Sequence, residues 1–205
     1  MLDKMRSLCE SILESLPSEP IDGKKILDEM YAEGSQYKQL EYQAFYFEAI
    51  IQNILSSLDK EFEEHKFKYN KSVIDTFCRY PIDIKTHDAN EFLCLLNDGP
   101  TIEKAIENYG CFGVIILTLK YEKDDGTLRE YQRKLSKSKS SYKNVSGNHR
   151  TIKKSFQVIS IDYYVITDVN QLKKFNQGRN SNGKPRTYKY KIDMRKVEPA
   201  IHIEK

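Results

Sequence analysis

The sequence predicts an α/β (α+β) fold in which a central mixed β-sheet is flanked by helices. Three observations support this prediction. Apolar residues in the first 64 positions recur at spacings of three and four, which is typical of amphipathic helices. The pattern then changes to alternating and continuous apolar runs, which indicate strands. Further helical and extended segments alternate toward the end of the chain, so helices packed on a sheet are expected.

The apolar spacing predicts helices over three N-terminal segments and two later ones. The N-terminal segments are 1–16, 26–31 and 36–64, the first ended by Pro17 and the second by Gly34. A fourth helix is expected over 101–109, with Thr101 as its cap and Gly110 after its end. Asp168 is expected to cap a short fifth helix that runs to Phe175.

Extended segments are predicted between and after these helices, at 67–69, 73–77, 82–86, the apolar run around 114–117, and 156–166. Asp125-Gly126 is typical of a hairpin turn. Residues 136–151 are expected to form a loop, and the stretch from 176 to 193 to be turn-rich and then extended.

Length and composition favour a single domain of 205 residues. We divide it into a helical part (1–64), a sheet part (65–135) and a basic part (136–205). No apolar run is long enough to cross a bilayer and the N-terminus does not read as a signal peptide, so we expect a cytoplasmic protein without membrane contact. The four cysteines and four histidines lack the spacing of a structural metal site.

Charge is distributed unevenly along the chain. Residues 1–132 contain 15 Lys and Arg against 25 Asp and Glu, whereas residues 133–205 contain 18 against 5. Such asymmetry favours a basic surface that binds a polyanion, although a solvated basic tail is the alternative. Apolar and aromatic residues interleaved through the basic half favour a folded surface.

The segment VIDTFCRYPIDIKTHD, residues 73–88, contains the most informative pattern. In a strand, Asp83 and Lys85 project to one face, while Ile82 and Ile84 point into apolar packing. Two carboxylates can hold Mg²⁺, which activates water and polarises a phosphate. A lysine beside them can orient the water or stabilise charge that develops on the phosphate.

This segment resembles the motif of the PD-(D/E)XK nucleases, and IDIKT is similar to the catalytic strand of type II restriction endonucleases. The resemblance implies that Asp75, Asp83 and Lys85 are catalytic, with Asp75 and Asp83 as ligands of Mg²⁺. It also implies that a glutamate from a preceding helix assists the catalytic site. Glu48 is the best candidate for this residue and Glu41 is the second candidate. Ile74 stands where the family usually has proline, and a separation of eight positions from Asp75 to Asp83 is short for the pattern.

A tight antiparallel hairpin would bring these side chains together. If its turn centres on Arg79, directly opposed residues have numbers that sum to 158, and Asp75 lies opposite Asp83 on one face. A two-residue turn at Arg79-Tyr80 would instead pair Asp75 with Ile84 and direct its carboxylate to the other face.

Two basic segments are the predicted DNA-binding parts. In residues 176–186, glycines permit close backbone approach, and polar side chains can contact phosphates or base edges; those expected to do so are Arg179, Asn180, Asn182, Lys184 and Arg186. In residues 136–154, we expect an arm that wraps DNA through Lys137, Lys139, Lys143 and Arg150, with Lys153 and Lys154 at its end. A surface loop without a partner is the alternative for the first segment.

Three functions are compatible with these features. The resemblance implies a type II restriction endonuclease that acts on double-stranded DNA as a homodimer, because two-fold symmetry allows both strands of a palindrome to be cut. A repair, junction-resolving or modification-dependent nuclease of the same superfamily is the second. The third is a non-enzymatic nucleic-acid-binding protein in which Asp83 and Lys85 form an ordinary ion pair on an exposed strand.

Overall fold

The computed structural model describes residues 2–58, 68–69, 72–73, 75–136 and 152–205. They form a mixed α/β structure with a mixed sheet flanked by helices, as predicted. The helices are α1 (Leu2–Ser15), α2 (Gly23–Ala32), α3 (Tyr42–Leu58), α4 (Gly99–Tyr109) and α5 (Thr127–Leu135). The strands are β1 (Ile21–Asp22), β2 (Lys68–Tyr69), β3 (Ser72–Val73), β4 (Thr76–Cys78), β5 (Tyr80–Asp88), β6 (Leu93–Asp98), β7 (Phe112–Lys123), β8 (Lys153–Ile166), β9 (Lys173–Phe175), β10 (Lys189–Asp193) and β11 (Ile201–Glu204).

The main sheet has the order β1-β8-β7-β5-β4, and β11 also pairs with β8. β5 and β7 are parallel, whereas the other pairs are antiparallel. β7 is the centre of this sheet because its residues from Phe112 to Leu119 are all buried, as expected of a strand covered on both faces. β8 and β11 come from the part of the chain that we assigned to the basic segment.

Two hydrophobic cores cover the two faces of the main sheet. Helices α1, α2 and α3 pack on the face that carries Ile82, Ile84 and Ile115. The opposite face carries Val114 and Ile116 and is covered by α4 together with a small sheet of order β6-β10-β9. In β5, alternation therefore sends the isoleucines toward the helices and Asp83 and Lys85 toward the second face.

The hairpin formed by β4 and β5 has the register that the sequence predicted. Thr76 pairs with Ile82 and Cys78 with Tyr80, so the turn centres on Arg79 and paired numbers sum to 158. Arg79 has a φ of 62°, a left-handed conformation that closes a very tight turn. The extended stretch predicted over 73–77 is divided into β3 and β4, with Asp75 in a bend between them.

Asp125-Gly126 does not form the predicted hairpin turn. Helix α5 begins immediately after it, because Asp124 accepts hydrogen bonds from the backbone N–H groups of Leu128 and Arg129 and so satisfies the helix N-terminus. β7 pairs instead with β8, which follows it in the chain only after α5 and residues 137–151.

Several other boundaries differ from the predictions. α3 begins at Tyr42 rather than residue 36, and α4 begins at Gly99 after Asp98, two positions before the predicted cap. Asp168 does cap a helix, but it is a single 3₁₀ turn, Val169–Gln171, and β9 follows it. Strand β6 was not predicted. Within the described residues, no helix combines the length and apolar character needed to cross a membrane.

Candidate functional site

Strand β5 places Asp83 and Lys85 side by side on the sheet face opposite the helices α1 to α3. The side chain of Asp83 is completely buried, and the Lys85 ammonium lies 2.7 Å from Asp83 Oδ1. The same ammonium donates to the carbonyl of Ile84 at 3.0 Å. This pair is therefore not the ordinary exposed ion pair that was the alternative for the strand.

Asp75 joins this pair from the bend before β4. Its Oδ2 accepts a hydrogen bond from the backbone N–H of Ile84 at 2.6 Å and lies 3.7 Å from the Lys85 ammonium. Gln52 of α3 donates to the Asp75 carbonyl at 2.7 Å and so fixes the bend against the helix. The structure thus brings together the two aspartates and the lysine that the hairpin register predicted would converge.

Glu48 also reaches this group of side chains, from the half-buried side of α3. Burial raises the pKa of Glu48, while a hydrogen bond with Asp75 and the charge of Lys85 oppose this rise. Glu41 is exposed and precedes the first residue of α3, about 10 Å earlier along the helix axis at 1.5 Å per residue. Of the two candidates, the structure places Glu48 at the acidic cluster.

Three carboxyl groups therefore surround a single lysine at a largely buried site. Burial raises the pKa of Asp83 to about 8; Lys85 opposes the shift and the neighbouring Asp75 adds to it. Burial also raises the pKa of Asp75, whereas the same acidic neighbours raise that of Lys85 and keep it protonated. The cluster thus carries more acidic groups than its one cation can neutralise.

The cluster fits a hard cation. Asp83 Oδ2 is buried and receives no hydrogen bond from an N–H or hydroxyl donor among the described residues, and the Asp75 carboxyl lies close enough to share a proton with Asp83. A cation between these oxygens would satisfy both. No group of three or more described His, Cys, Asp or Glu side chains is arranged as a complete metal site. Mg²⁺ does not require one, because it is usually held by one or two carboxylates together with waters and substrate phosphates.

Comparisons of the chain with protein-family models, curated proteins and solved structures found no match.

The segment 176–188, which we call the basic arm, connects β9 to β10 and is hydrogen-bonded within itself. Gly178 and Gly183 have positive φ angles, and Arg179 forms a backbone bridge with Pro185. The guanidinium of Arg179 donates to the Gly183 carbonyl at 2.9 Å, and Arg186 Nε donates to Asn180 Oδ1 at 3.1 Å. The predicted recognition residues of this arm are all exposed: Arg179, Asn180, Asn182, Lys184 and Arg186.

The second predicted DNA-binding segment falls mostly outside the described residues, which exclude Lys137, Lys139, Lys143 and Arg150. Its end is described and differs from the prediction. Lys153 and Lys154 belong to β8 rather than to a loop, and they lie 3.6 Å from Asp88 and 3.3 Å from Glu122. These two lysines are paired with acids of β5 and β7 because β8 is longer than its apolar pattern indicated.

Sequence reasoning missed a row of lysines on the small sheet. Lys173, Lys189 and Lys191 lie on its outer face, where Lys189 pairs in register with Phe175 and Lys191 with Lys173. On this face, the Lys191 ammonium is 3.9 Å from the ring centre of Phe175. Lys174, which alternates to the other face of β9, is 3.7 Å from the ring centre of Tyr188. The alternation of lysine with apolar or aromatic residues in KYKID, residues 189–193, was the available signal for this face. The neighbouring strands β6 and β9 were not recognised from the sequence.

Proposed function

We propose that this protein is a Mg²⁺-dependent endonuclease of the PD-(D/E)XK type that cleaves double-stranded DNA, and specifically a type II restriction enzyme. The observation that carries the proposal is the convergence of Asp75, Asp83 and Lys85, with a buried Asp83 oxygen that receives no hydrogen bond from an N–H or hydroxyl donor among the described residues. The mixed sheet, with its acidic hairpin at one edge and helices on its face, is compatible with a restriction-endonuclease-like fold.

Each side chain has a role in this proposal. Asp75 and Asp83 would hold the cation, and Glu48 would assist them from α3. When bound, Mg²⁺ supplies Lewis-acid polarisation of the phosphate and lowers the pKa of a coordinated water. Lys85, kept protonated by its acidic neighbours, orients the attacking water and stabilises the negative charge that develops on the phosphate.

The basic arm and the outer face of the small sheet supply a surface for the DNA. The exposed residues of the arm suit contacts with phosphates and base edges. On the small sheet, Lys191 suits the phosphate backbone, whereas Lys173 and Lys189 are paired with Asp193 at 2.8 Å and Asp98 at 4.0 Å. The small sheet packs on the same face of the main sheet that carries Asp83 and Lys85. A duplex that contacts the small sheet would therefore approach the acidic cluster from that side.

A homodimer belongs to the proposal if the target is palindromic, because two copies related by a two-fold axis present two equivalent sites to the two strands. Light scattering of the protein with and without a DNA duplex tests this part separately. A monomer in both conditions would favour a nicking, repair or junction-resolving enzyme of the same superfamily.

The direct test of the proposed function is cleavage of a supercoiled plasmid with Mg²⁺ and, as the control, with EDTA. We expect Mg²⁺-dependent conversion to discrete linear fragments, whose mapped ends give the target sequence and cut position. A smear of fragments would favour a non-specific nuclease. Retarded but uncut plasmid at every Mg²⁺ concentration would indicate a non-enzymatic DNA-binding protein and overturn the proposal.

A further inference from the structure

A second group of polar side chains lies next to Lys85 on the same face of the main sheet. β5, β7 and β8 place His87, Thr118 and Ser160 in one row across the sheet. Asp162 lies in the adjacent row, which also contains Lys85. His87 follows Lys85 by two residues, which is about 7 Å along a strand. The acidic cluster and this polar group are therefore neighbours.

These side chains line an open cavity of about 490 Å³ at the edge of the small sheet. Phe92 and Arg195, which flank β6 and β10, form part of its wall, and the Arg195 guanidinium carbon lies 4.6 Å from the centre of the Phe92 ring. The Phe92 side chain is exposed although it is large and apolar, with 53% of its surface accessible. The volume is in the range of cavities that bind small organic ligands.

The polar floor of this cavity has unused hydrogen-bonding capacity. Thr118 is 8% exposed, and among the described residues its hydroxyl has no hydrogen-bond partner. Asp162 is buried and accepts a hydrogen bond from His202 Nδ1 at 2.6 Å, which leaves further lone pairs on its carboxylate. His87 donates a hydrogen bond from Nε2 to the carbonyl oxygen of Glu91 at 3.1 Å. The floor of the cavity thus offers hydrogen-bonding groups of Thr118 and Asp162, and its wall offers the aromatic ring of Phe92.

We propose that this cavity receives a nucleobase that has left the duplex next to the bond to be cut. The proposal rests on the proposed function and names the part of the DNA that this second site would bind. A nucleobase matches the cavity because it combines a flat face, which can stack on Phe92, with a polar edge that can bond to Thr118, Ser160 and Asp162. A base stacked within a duplex cannot enter a recess, so it must be extrahelical.

The test uses 2-aminopurine, whose fluorescence rises when it leaves the base stack. Duplexes that carry the cleaved sequence, with 2-aminopurine placed in turn at each position beside the cut bond, are titrated with the protein in EDTA. We expect a several-fold rise in fluorescence at one position. Phe92→Ala should weaken this capture about ten-fold through loss of stacking. Thr118→Val should also reduce it and should fold normally, because the hydroxyl that it removes is unpaired.

Tyr31→Ala is the matched control, since Tyr31 is an exposed aromatic residue of α2 that does not border the cavity. It should leave the fluorescence change intact. Duplexes that are bound and later cut on addition of Mg²⁺, yet show no fluorescence rise at any position, would overturn the base-binding proposal and leave the nuclease proposal standing. If no DNA is cut, the nuclease proposal fails by itself, and a duplex with a 2-aminopurine·cytosine mismatch then tests the cavity; no rise with this duplex would overturn the cavity proposal too.

Discussion

Replacing Asp83 by asparagine should make the metal-free protein more stable. The Asp83 side chain is completely buried, and burial raises the pKa of its carboxyl group to about 8. Folding therefore disfavours the ionised form of Asp83. In the unfolded chain this carboxyl group is mostly ionised above about pH 4. Asparagine has nearly the same shape and can still accept the hydrogen bond from Lys85, but it carries no charge.

The magnitude follows from the two pKa values. At pH 7 the unfolded group, with a pKa of about 3.9, must take up a proton on folding, which costs about 4 kcal/mol at roughly 1.4 kcal/mol for each pH unit. That pKa already includes the favourable effect of Lys85, and asparagine keeps the hydrogen bond from the lysine ammonium. Asp83→Asn should thus raise the free energy of unfolding by up to about 4 kcal/mol, or the melting temperature by about 8–16 °C. Most of the gain should be lost by pH 4, because the carboxyl group of Asp83 is then about half protonated in the unfolded chain as well.

Urea denaturation in EDTA at pH 7 and pH 4 measures this difference. Asp193→Asn is the matched control, because Asp193 is also a buried aspartate but lies 3.1 Å from Arg195 and 2.8 Å from Lys173, which lower its pKa. It should become less stable at pH 7. An Asp83→Asn protein less stable than the wild type at pH 7 would refute the reasoning, since Lys85 would then compensate fully for the buried charge.

Three further predictions concern cleavage and DNA binding. Glu48→Gln should lower the cleavage rate about 10–100-fold through weaker positioning of the metal shell, whereas Glu41→Gln should cut normally; equal effects in a plasmid assay would contradict the placement of Glu48. Alanine at Arg179 or Arg186 should weaken specific binding by about 1–3 kcal/mol in fluorescence anisotropy if the arginine contacts a guanine, and normal affinity of the double variant would place recognition elsewhere. Replacing Lys137 and Lys139 together by alanine should flatten the log–log salt dependence of binding by about 1.8, and an unchanged slope would show that this segment does not contact DNA.

The parts of the fold that the sequence predicted are those governed by local patterns. The apolar spacing of α1 and the continuous apolar run of β7 depend only on which faces are buried, and both elements are present. The hairpin register could be derived because a tight turn and the two-residue period of a strand leave few alternatives. Asp75 lies in a bend one residue before the paired part of this hairpin, and its carboxylate reaches the side of Asp83 through the hydrogen bond from Ile84 N–H.

The remaining elements depend on contacts that are distant in sequence. Strand β6 has two exposed leucines, Leu93 and Leu95, and it forms a strand because it pairs with β10, almost a hundred residues later. The cavity near His87 was not foreseen for the same reason. Its walls come from β5, β7, β8, β11 and the ends of the small sheet, which no single segment reveals. The dipeptide Asp125-Gly126 is typical of a hairpin turn, yet helix α5 begins just after it. The reason is that the carboxylate of Asp124 accepts hydrogen bonds from the backbone N–H groups of the first helical turn.

Cleavage by variants of the catalytic strand tests the central claim most directly. Wild type, Asp83→Ala and Lys85→Ala are compared for plasmid cleavage with Mg²⁺ and for duplex binding without it. Loss of several kcal/mol of transition-state stabilisation should lower cleavage more than about 10³-fold for Asp83→Ala and about 10²–10³-fold for Lys85→Ala. Binding should persist, and above pH 8, where Asp83 is ionised, it should be tighter for Asp83→Ala because a carboxylate that repels phosphate is gone. An Asp83→Ala protein that cuts DNA at the wild-type rate would contradict the assignment of this strand as the nuclease site.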